Sequence, residues 1–421
     1  MPRWSWATMG LNHSYCCSMR QVIIVGGGAA GFFTAINAKE MNPSLDIIIL
    51  EKGREVLQKV KVSGGGRCNV THACFEPKEL VTFYPRGEKE LLGPFHQFMT
   101  GDTCEWFSSH GIPLKIESDQ RVFPESNTSQ TIIDCFLEKT STLEIPVFKN
   151  HGVTSVTRQG DQWMVNTKEE QFVCDALVIA AGSSKQVWKL SKSLGHSVVD
   201  PVPSLFTFNI KDDRIQGLLG VSVPQATVKL SNTSLEATGP LLITHWGMSE
   251  PAVLRLSAFG ARILAEMNYE YQVEVNWSSQ TPQDTLIVLQ NTKKEQSKRQ
   301  VSLKSPFAEV PRRLWERLVT ASSIKTSQNW ADISKIQLQN LVDQLTKATF
   351  YAKGKSTFKE EFVTADGVDL REINFKRFES RLHKNLFFVG EVLNIDGVTG
   401  GFNFQNAWTG SWIVAKSLAE D

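Results

Sequence analysis

The sequence has no apolar run of the roughly 20 residues that a membrane-spanning helix needs. It also lacks an excess of charge, because 45 basic residues face 44 acidic ones and leave a formal net charge of +1. Such a balance gives no bulk electrostatic reason to bind nucleic acid or an anionic membrane, so we expect neither as a partner. With 41% hydrophobic and 21% charged residues, the composition is that of a soluble globular protein, which we expect in the cytoplasm.

The seven cysteines show no metal-binding or redox spacing. They are Cys16, Cys17, Cys68, Cys74, Cys104, Cys135 and Cys174. Zinc sites and redox dithiols usually need C-x-x-C pairs, so we expect neither a metal site nor a redox-active disulfide. The thiols are expected to be free in a reducing compartment.

The first 18 residues lack the continuous apolar core and the A-x-A cleavage pattern of a signal peptide. Met19 lies just before the first apolar strand. We therefore expect residues 1–18 to be either an unstructured extension or the product of an upstream start codon, with Met19 as the usual start.

Residues 22–51 carry the most informative motif of the chain. A short apolar strand, residues 22–25, leads into the glycine turn 26–31, which fits the pattern G-x-G-x-x-G. A helix follows, and a second apolar strand ends at Glu51, which lies 20 residues beyond the last glycine of the turn. Strand, turn, helix, strand and acid in this order form a dinucleotide-binding fingerprint.

Each position of the motif has a physical reason. Gly26 permits the tight turn, Gly28 leaves room for a pyrophosphate to approach the backbone, and Gly31 allows the helix to pack closely on the sheet. The exposed amides and the positive end of the helix dipole attract the phosphates. The carboxylate of Glu51 would accept hydrogen bonds from a ribose.

Two further glycine clusters lie far from the first. Residues 63–71 read Ser-Gly-Gly-Gly-Arg-Cys-Asn-Val-Thr, a backbone-rich concavity with one fixed positive charge. Near the C-terminus, a buried strand ends in Gly390-Glu391, and residues 396–403 form a glycine turn before an apolar helix, whose amides suit a second anionic group. A single dinucleotide phosphate site does not need three such loops, whereas FAD is long enough to use them all.

Strand and helix signals fill residues 19–194 and return in residues 348–421. The resemblance of the glycine motifs to a family of flavoproteins implies that both segments form one discontinuous FAD-binding domain. Within it, residues 145–180 predict a small antiparallel meander that leads into a buried strand. Residues 195–280 are rich in Val, Leu, Thr and Pro and are expected to form a β-rich substrate or cap domain. Residues 281–347 are polar, and we expect them to be a helical insertion.

These motifs resemble the bacterial FAD-dependent NAD(P)/FAD oxidoreductase family, the aminoacetone-oxidase-like and bile-acid dehydro-reductase-like flavoproteins. The resemblance rests on the three glycine clusters together with the Thr-His-Trp-Gly-Met-Ser run at residues 244–249, and it covers nearly everything from residue 20 onward. It implies an α/β fold: a glutathione-reductase-type, Rossmann-like FAD-binding domain with an inserted β-rich domain and a helical segment. It also implies FAD as the cofactor and oxidoreductase activity.

The resemblance further implies which residues contact FAD. The first glycine turn and the strand end beside it would meet the pyrophosphate and ribose, and the other two clusters would meet the flavin end. In chain order, the implied contacts are Gly26, Gly28, Ala30, Gly31, Glu51, Lys52, Gly65, Gly66, Arg67, Cys68, Asn69, Val153, Ala181, Gly182, Gly390, Glu391, Gly401, Phe402 and Asn403.

Three positions depart from the usual pattern of that family. Glu250 stands where the middle motif usually has glycine, Asn394 where the later motif usually has aspartate, and Ala181 where threonine is common. FAD binding is still expected, whereas the substrate of the relatives cannot be carried over.

The chemistry left to the protein is proton transfer near the substrate. His245 is the candidate acid or base because its motif is expected to line the cavity, and the alternative is a structural histidine. Cys68 is either a thiolate near the flavin or a small buried packing residue. No second G-x-G-x-x-G follows a strand, so NAD(P)H would have to dock transiently in the substrate cavity, or oxygen would accept the electrons.

Three hypotheses for function follow. The first is an FAD-dependent oxidoreductase that acts on a small or medium apolar, carbonyl-bearing metabolite. The second is a flavin-containing regulatory protein without turnover, which touches RNA through basic residues of the helical insertion. The third is a fold that binds NAD(P) alone. The sequence leaves the oligomeric state open.

Overall fold

The computed structural model describes residues 19–356 and 363–421, and the expected extension 1–18 lies outside these ranges. The described chain forms two bodies, each around its own buried apolar core. The first body combines residues from both ends of the chain, and the second is a β-barrel with helices packed on it.

The strands and helices are numbered in chain order. The strands are β1 (Gln21–Val25), β2 (Asp46–Leu50), β3 (Thr71–His72), β4 (Leu114–Ile116), β5 (Arg121–Pro124), β6 (Val147–Phe148), β7 (Ser155–Gln159), β8 (Gln162–Asn166), β9 (Gln171–Cys174), β10 (Ala176–Ile179), β11 (Val198–Ser204), β12 (Thr207–Ile210), β13 (Ser222–Leu230), β14 (Glu236–Ile243), β15 (Gly247–Ser249), β16 (Glu270–Asn276), β17 (Ala348–Ser356), β18 (Val363–Val368), β19 (Ile373–Asn374), β20 (Glu379–Ser380) and β21 (Leu386–Phe388). The α-helices are α1 (Ala29–Met41), α2 (Gln58–Gly66), α3 (Pro77–Leu80), α4 (Glu88–Phe95), α5 (Thr100–Ser109), α6 (Ser129–Thr142), α7 (Lys185–Ser193), α8 (Pro251–Phe259), α9 (Ala261–Glu266), α10 (Pro282–Glu295), α11 (Arg312–Ala321), α12 (Lys335–Thr346) and α13 (Phe402–Glu420). Within the described ranges, none of the helices has the length and apolar character needed to cross a membrane.

The first body is built on a seven-stranded sheet in the order β19-β20-β21-β10-β1-β2-β6. The strands from β21 to β6 run parallel, while β20 and β19 add to one edge in antiparallel fashion. Four of the five residues of β1 are buried, and β10 is buried throughout. Parallel strands covered on both faces have this burial, which explains why they are continuous apolar runs in the sequence.

Helices α1 and α13 pack along each other although they come from opposite ends of the chain. The Ser411 hydroxyl of α13 donates to the Ala30 carbonyl of α1 at 2.9 Å, and the Trp408 ring lies 5.1 Å from that of Phe33. Both helices are buried over most of their length, which is why small and apolar residues occur on all their faces. This pairing unites the two ends of the chain in one body.

The predicted meander over residues 145–180 is right for three of its strands and wrong for the first. Strands β7, β8 and β9 pair antiparallel as predicted, but β6 pairs in parallel with β2 at the edge of the central sheet. Strand β6 has only two residues, both half-buried, so its sequence pattern could not specify its partner.

The second body is a closed six-stranded barrel in the order β12-β15-β14-β13-β16-β17. Helices α10, α11 and α12 share its core, which joins Trp277, directly after β16, to Trp315 and Leu341 of the helices. The β-rich segment and the helical segment therefore make one body. Strand β17 closes the barrel against β12 and β16, so this body extends beyond the expected return to the FAD-binding domain at residue 348.

The chain passes between the two bodies on a pair of antiparallel strands. Strand β11 leads into the barrel and β18 leads out of it, and the two pair with each other outside both larger sheets. The paired strands place the residues after β18 next to the C-terminal glycine cluster, where the Asn394 N–H donates to the Val368 carbonyl at 3.1 Å.

Candidate functional site

The glycine turn 26–31 joins the carboxyl end of β1 to α1. A Cβ atom on Gly26 would lie 2.5 Å from the Ala180 carbonyl oxygen, and one on Gly31 would lie 2.0 Å from the Gly26 carbonyl oxygen. Because such contacts are too short, only glycine fits at these two positions. Gly28 differs, since a Cβ there would meet no atom within 4 Å. The space beside Gly28 is therefore open to a ligand.

The carboxylate of Glu51, at the end of β2, lies against this turn. Its Oε2 accepts a hydrogen bond from the Gly27 N–H at 2.8 Å, and its Oε1 accepts one from the Gly53 N–H at 2.7 Å. Each oxygen keeps another lone pair, so the same carboxylate can also accept from ribose hydroxyls. Glu51 thus shapes the glycine turn as well as offering acceptors beside it.

Lys52 and Val153 lie together at the neighbouring strand ends. Lys52 is exposed, and a Cβ on Gly152 would lie 3.1 Å from the Lys52 Cβ. Val153 is buried in the loop before β7, and its carbonyl accepts from Nε2 of Gln186 at 2.8 Å. That carbonyl is therefore already engaged by the protein.

The end of β10 meets the C-terminal part of the chain. Ala181 and Gly182 follow β10, and a Cβ on Gly182 would lie 3.7 Å from Oε2 of Glu391. The Glu391 carboxylate pairs with the ammonium of Lys59 in α2. This ion pair connects α2, which contains the glycines of the second cluster, with Glu391 at the start of the C-terminal glycine cluster.

The C-terminal glycine cluster touches both of the others. A Cβ on Gly390 would lie 3.4 Å from the Ala30 Cβ in the first cluster. A Cβ on Gly401 would lie 2.6 Å from the carbonyl group of Thr71, the last residue of the second cluster. The three clusters, which are far apart in the sequence, therefore lie against one another in the fold.

The second glycine cluster interrupts α2 at residues 63–65. Cβ atoms on Gly65 and Gly66 would meet nothing within 4 Å. The side-chain oxygen of Asn69 is buried, yet it accepts no hydrogen bond from the part of the chain that the structure describes. Open space along the backbone and a buried acceptor without a partner both fit a hydrogen-bonding ligand at this loop.

The surroundings of two side chains of the second cluster bear on their expected roles. Nη1 of Arg67 donates to Oε1 of Glu117 at 2.7 Å, and the guanidinium lies 3.9 Å from the centre of the Phe123 ring. A carboxylate therefore neutralises the positive charge that the sequence offered to an anion. Cys68 is buried, and burial raises the pKa of its thiol to about 12. At neutral pH the thiol stays protonated, which favours the packing role over a thiolate.

Asn403 holds the turn at the N-terminus of α13. Its Oδ1 accepts from the Gly397 N–H at 2.8 Å, and its Nδ2 donates to the Gly397 carbonyl at 3.2 Å. Its side chain therefore closes the turn, and the contact of Asn403 with the flavin stays a prediction. The first backbone amides of α13 have no intrahelical acceptor, and together with the helix dipole they form a donor site for an anionic or carbonyl group.

An aromatic stack lies beside this helix terminus. The Phe402 ring is 4.4 Å from that of Phe83 and 4.7 Å from that of His72, and Arg255 of α8 lies 5.8 Å from the Phe83 ring centre. Burial lowers the pKa of His72, so its imidazole is neutral at pH 7, and its buried Nδ1 has no partner among the described residues. The sequence analysis did not single out these partners of Phe402, because only the fold brings them together.

His245, the candidate acid or base, lies in the exposed turn between β14 and β15. Its ring makes an edge contact with Trp246 of the same turn, at 5.6 Å between ring centres. Over residues 19–356 and 363–421, no three His, Cys, Asp or Glu side chains are grouped so as to hold a metal ion.

Asp366 of β18 is a buried carboxylate that the sequence analysis missed. It is 2% exposed, and neither of its oxygens has a hydrogen-bond partner of good geometry within the described ranges, although the Thr364 hydroxyl lies near enough to oppose the rise in its pKa. Burial, with Asp396 and Glu391 nearby, raises its pKa to about 6. The group therefore titrates near neutral pH beside the C-terminal glycine cluster, as proton-transferring groups often do. No local pattern marks it, since Ala-Asp-Gly predicts an ordinary turn.

Arg86 connects the two bodies. Its guanidinium pairs with the buried carboxylate of Asp396, in the C-terminal glycine cluster, and donates to the Ser204 hydroxyl at 3.2 Å and the Ala258 carbonyl at 2.7 Å. Burial raises the pKa of Asp396, and the ion pair with Arg86 opposes that rise. Ser204 ends β11 and Ala258 lies in α8, so this network fixes the C-terminal cluster against the segments that enter and flank the barrel.

Comparison with known proteins gives relatives over nearly the full length. A family model described as the HI0933-like protein Rossmann domain matches residues 20–417. The ribosomal RNA dihydrouridine synthase of Escherichia coli K12 is 28% identical over 413 residues, which cover 94% of this chain and 97% of that protein. The 3-dehydro-bile acid delta(4,6)-reductase of Clostridium scindens is 24% identical over 412 residues, 96% of this chain and 100% of that protein.

Among solved structures, a 3-ketosteroid delta1-dehydrogenase from Sterolibacterium denitrificans is similar at a TM-score of 0.47 and 10% identity, over 96% of this chain and 100% of that one. A similarity this low does not bear on activity. The family match does confirm the predicted α/β fold with a Rossmann-type domain. It also favours an FAD-dependent enzyme over the two other hypotheses, a flavoprotein without turnover and a fold that binds NAD(P) alone. The chain belongs to the HI0933-like Rossmann family and is an FAD-dependent oxidoreductase.

Proposed function

We propose that FAD lies along a cleft bordered by the three glycine clusters. The backbone of the first turn would hold the pyrophosphate at the open space beside Gly28, and Glu51 would hold the ribose. Three residues would contribute backbone atoms because their side chains are engaged or buried: Arg67, Cys68 and Asn403. Val153 would contribute its backbone N–H, because its carbonyl already accepts from Gln186. The other contacts would come from Gly26, Ala30, Gly31, Lys52, Gly65, Gly66, Asn69, Ala181, Gly182, Gly390, Glu391, Gly401 and Phe402.

One observation carries this placement. Gly390 packs on Ala30 and Gly401 packs on Thr71, so the last glycine cluster touches both of the earlier ones. Three adjoining backbone-lined surfaces fit a ligand with a pyrophosphate near its middle and hydrogen-bonding groups at both ends. When bound, FAD supplies the two-electron redox chemistry. The chain positions the cofactor and substrate and offers donors where negative charge develops.

We propose that the reaction is reduction of a carbon–carbon double bond conjugated to a carbonyl. The Escherichia coli relative is named for making dihydrouridine, in which such a bond of the uracil ring has been reduced, and the Clostridium scindens relative for reducing delta(4,6) bonds. When such a bond is reduced, negative charge develops on the conjugated carbonyl oxygen, and backbone amides at a helix N-terminus stabilise that charge. In this chain, the N-terminus of α13 would supply them.

The distribution of charge favours RNA as the substrate to test first. Residues 281–347 contain 11 basic and 6 acidic residues, a net charge of +5, whereas the rest of the chain contains 34 basic and 38 acidic residues. The net charge of +1 for the whole chain therefore conceals a basic segment. That segment has an electrostatic reason to bind nucleic acid, although the chain as a whole has none. We propose a uracil base in RNA as the substrate.

A small or medium apolar, carbonyl-bearing metabolite is the second candidate. The aromatic stack of Phe402, Phe83 and His72 beside the N-terminus of α13 favours it, since flat apolar molecules pack well against such rings. For either substrate, NAD(P)H is the proposed electron donor and would dock transiently in the substrate cavity, with oxygen as the alternative acceptor. His245 is kept as the acid or base proposed from the sequence, and Asp366 is the buried alternative.

The test is anaerobic reduction followed by reoxidation. Purified protein is mixed with NADH or NADPH, and the flavin absorbance is followed before and after addition of a uridine-containing RNA or a small enone. We expect bleaching by the nicotinamide, recovery on addition of acceptor, and a product that has gained two hydrogen atoms by mass spectrometry. RNA containing dihydrouridine, or the saturated ketone, is the matched control and should not restore the absorbance. Recovery on admission of oxygen but with neither the RNA nor the enone would contradict the proposed double-bond reduction and favour oxygen as the acceptor.

A further inference from the structure

We infer that an exposed surface around Trp246 docks single-stranded RNA, an inference that rests on the proposed function. The Trp246 surface comprises Lys211 and Leu219 in the loop between β12 and β13, Trp246 in the turn between β14 and β15, and Arg313 and Arg317 on α11. All five side chains are exposed, with Trp246 at 59% and Leu219 at 61%.

Backbone hydrogen bonds bring the loop and the turn together. The Ile210 N–H donates to the Trp246 carbonyl at 2.9 Å, and the Gly220 N–H donates to the Ile243 carbonyl at 3.0 Å. The loop of residues 211–220 therefore begins and ends beside the turn that carries Trp246. These bonds fix the position of the indole relative to the loop, although its side chain is largely in solvent.

Helix α11 holds the same loop near its middle. Nη2 of Arg313 donates to the Gly217 carbonyl at 2.6 Å, and Nη2 of Arg317 donates to the Gln216 carbonyl at 3.3 Å. Each guanidinium spends one donor on an uncharged oxygen and keeps its positive charge and its remaining donors. In the described part of the chain, neither arginine forms an ion pair with a carboxylate.

The nearby carboxylates do not cancel this charge. Asp212 is bound by Arg214 at 2.7 Å, and Glu316 is bound by Arg312 at 2.9 Å, so each already has a basic partner. Asp213 is the remaining exposed acid in the loop. Its single negative charge compares with three positive charges, on Lys211 and the two arginines of α11. The surface is therefore net positive, in keeping with the charge of +5 over residues 281–347.

An exposed indole and two unneutralised guanidinium groups, all bonded to or flanking one loop of ten residues, suit a single strand of RNA. Unpaired bases stack on aromatic side chains, and arginines bind the phosphates that follow along the strand. A duplex hides its bases in the stack, so it would engage only the arginines. An anionic membrane would engage the charges but has no bases to stack on Trp246. The combination of an aromatic side chain and cations is thus more specific than either feature alone.

The experiment measures binding of a short uridine-containing single-stranded RNA to the full-length holoprotein over a range of salt concentrations. Trp246→Ala removes the stacking platform and should weaken binding about tenfold. Arg313→Gln with Arg317→Gln keeps a donor for each loop carbonyl while removing two charges. That double variant should lower the slope of log affinity against log salt by about 1.4, at about 0.7 per phosphate contact on single strands.

The matched control is Lys168→Ala with Lys384→Ala, which removes two exposed lysines from the other body and should leave RNA affinity and slope unchanged. Circular dichroism of each variant excludes misfolding as the cause of weaker binding. Equal loss in the control, no effect of either surface variant, or equal affinity of wild type for single-stranded and duplex RNA would overturn the inference, as would preference for anionic vesicles over RNA. Reduction of the same RNA by the wild-type protein with NADPH tests the proposed function separately, so RNA reduction together with unchanged binding in both surface variants would refute the surface and not the reductase.

Discussion

The first glycine turn shows how single residues decide the site. Gly31 is needed by the fold, because a side chain there would meet the Gly26 carbonyl, whereas Gly28 borders open space. Two glycines of one motif therefore have different surroundings: Gly31 is required for packing, and the space beside Gly28 is where we propose that the pyrophosphate lies.

This difference gives the first prediction. Gly28→Val should leave the free energy of unfolding of the apoprotein nearly unchanged and abolish FAD retention, because its side chain fills the open space without touching protein atoms. Gly31→Val should instead destabilise the apoprotein. Flavin absorbance and thermal unfolding of both variants check this, and full FAD occupancy in Gly28→Val would refute the placement of the pyrophosphate.

Glu250 is a residue whose backbone conformation conflicts with its type. Its φ is 78° and its ψ is 176°, a region that costs a non-glycine residue about 1–3 kcal/mol. Glu250→Gly, which removes the Cβ that strains this conformation, should therefore raise the free energy of unfolding by about 1 kcal/mol, the gain being reduced by the added freedom of the unfolded chain. Glu250→Ala keeps the Cβ and should not stabilise. Urea denaturation compares them, and equal midpoints for all three proteins would contradict the strain.

Asp366 gives a prediction for pH. Its pKa is raised from 3.8 to about 6 in the folded protein, so the unfolded state loses the proton first and folding loses stability as pH rises between these values. Asp366→Asn carries no charge and should be more stable than wild type by about 3 kcal/mol at about pH 8, with the difference vanishing at about pH 4. Asp161→Asn, at a fully exposed position, is the control. A pH-independent difference would show that charge burial is not the cause.

At the scale of helices and loops, the sequence predicted where the glycine clusters lie. It did not predict which partners their side chains contact. The strand–turn–helix order around residues 22–51 was readable because each step has a strong local signal. The pairing of Arg67 with Glu117 and the closure of the last turn by Asn403 depend on partners brought near by the fold. Strand β6, with two residues, carried too little pattern to reveal that it joins the central sheet.

The turn before α13 gives the prediction at this level. Asn403→Ala removes both hydrogen bonds to Gly397 and should lower the free energy of unfolding by about 1–2 kcal/mol. It should also weaken FAD binding, because the amides at the N-terminus of α13 lose their fixed direction. Asn291→Ala, at an exposed position on α10, is the matched control. Unchanged FAD affinity in Asn403→Ala would show that this helix terminus does not meet the cofactor.

The arrangement of the two bodies was only partly predictable. Composition separated a β-rich and a helical segment, but it could not show that both share one core or that β17 closes the barrel, because barrel closure is a long-range property. Arg86, which ties the C-terminal cluster to Ser204 and Ala258, likewise has no sequence signature.

Arg86 should therefore matter more for stability than an arginine at the surface. Arg86→Met leaves the buried Asp396 without its partner and should destabilise the protein by about 3–5 kcal/mol. Adding Asp396→Asn removes the unpaired charge and should recover part of that loss, which a double-mutant cycle in urea measures. Independent, additive effects of the two changes would contradict the pairing.

The central claim is that both ends of the chain build one cleft for a single FAD. The direct measurement is equilibrium titration of apoprotein with FAD for the wild type, Gly28→Val and Asn403→Ala. We predict a single FAD per chain for the wild type, and weaker binding in both variants although they lie at opposite ends of the sequence. Normal FAD binding in either variant, or no FAD binding by the wild type, would contradict the account.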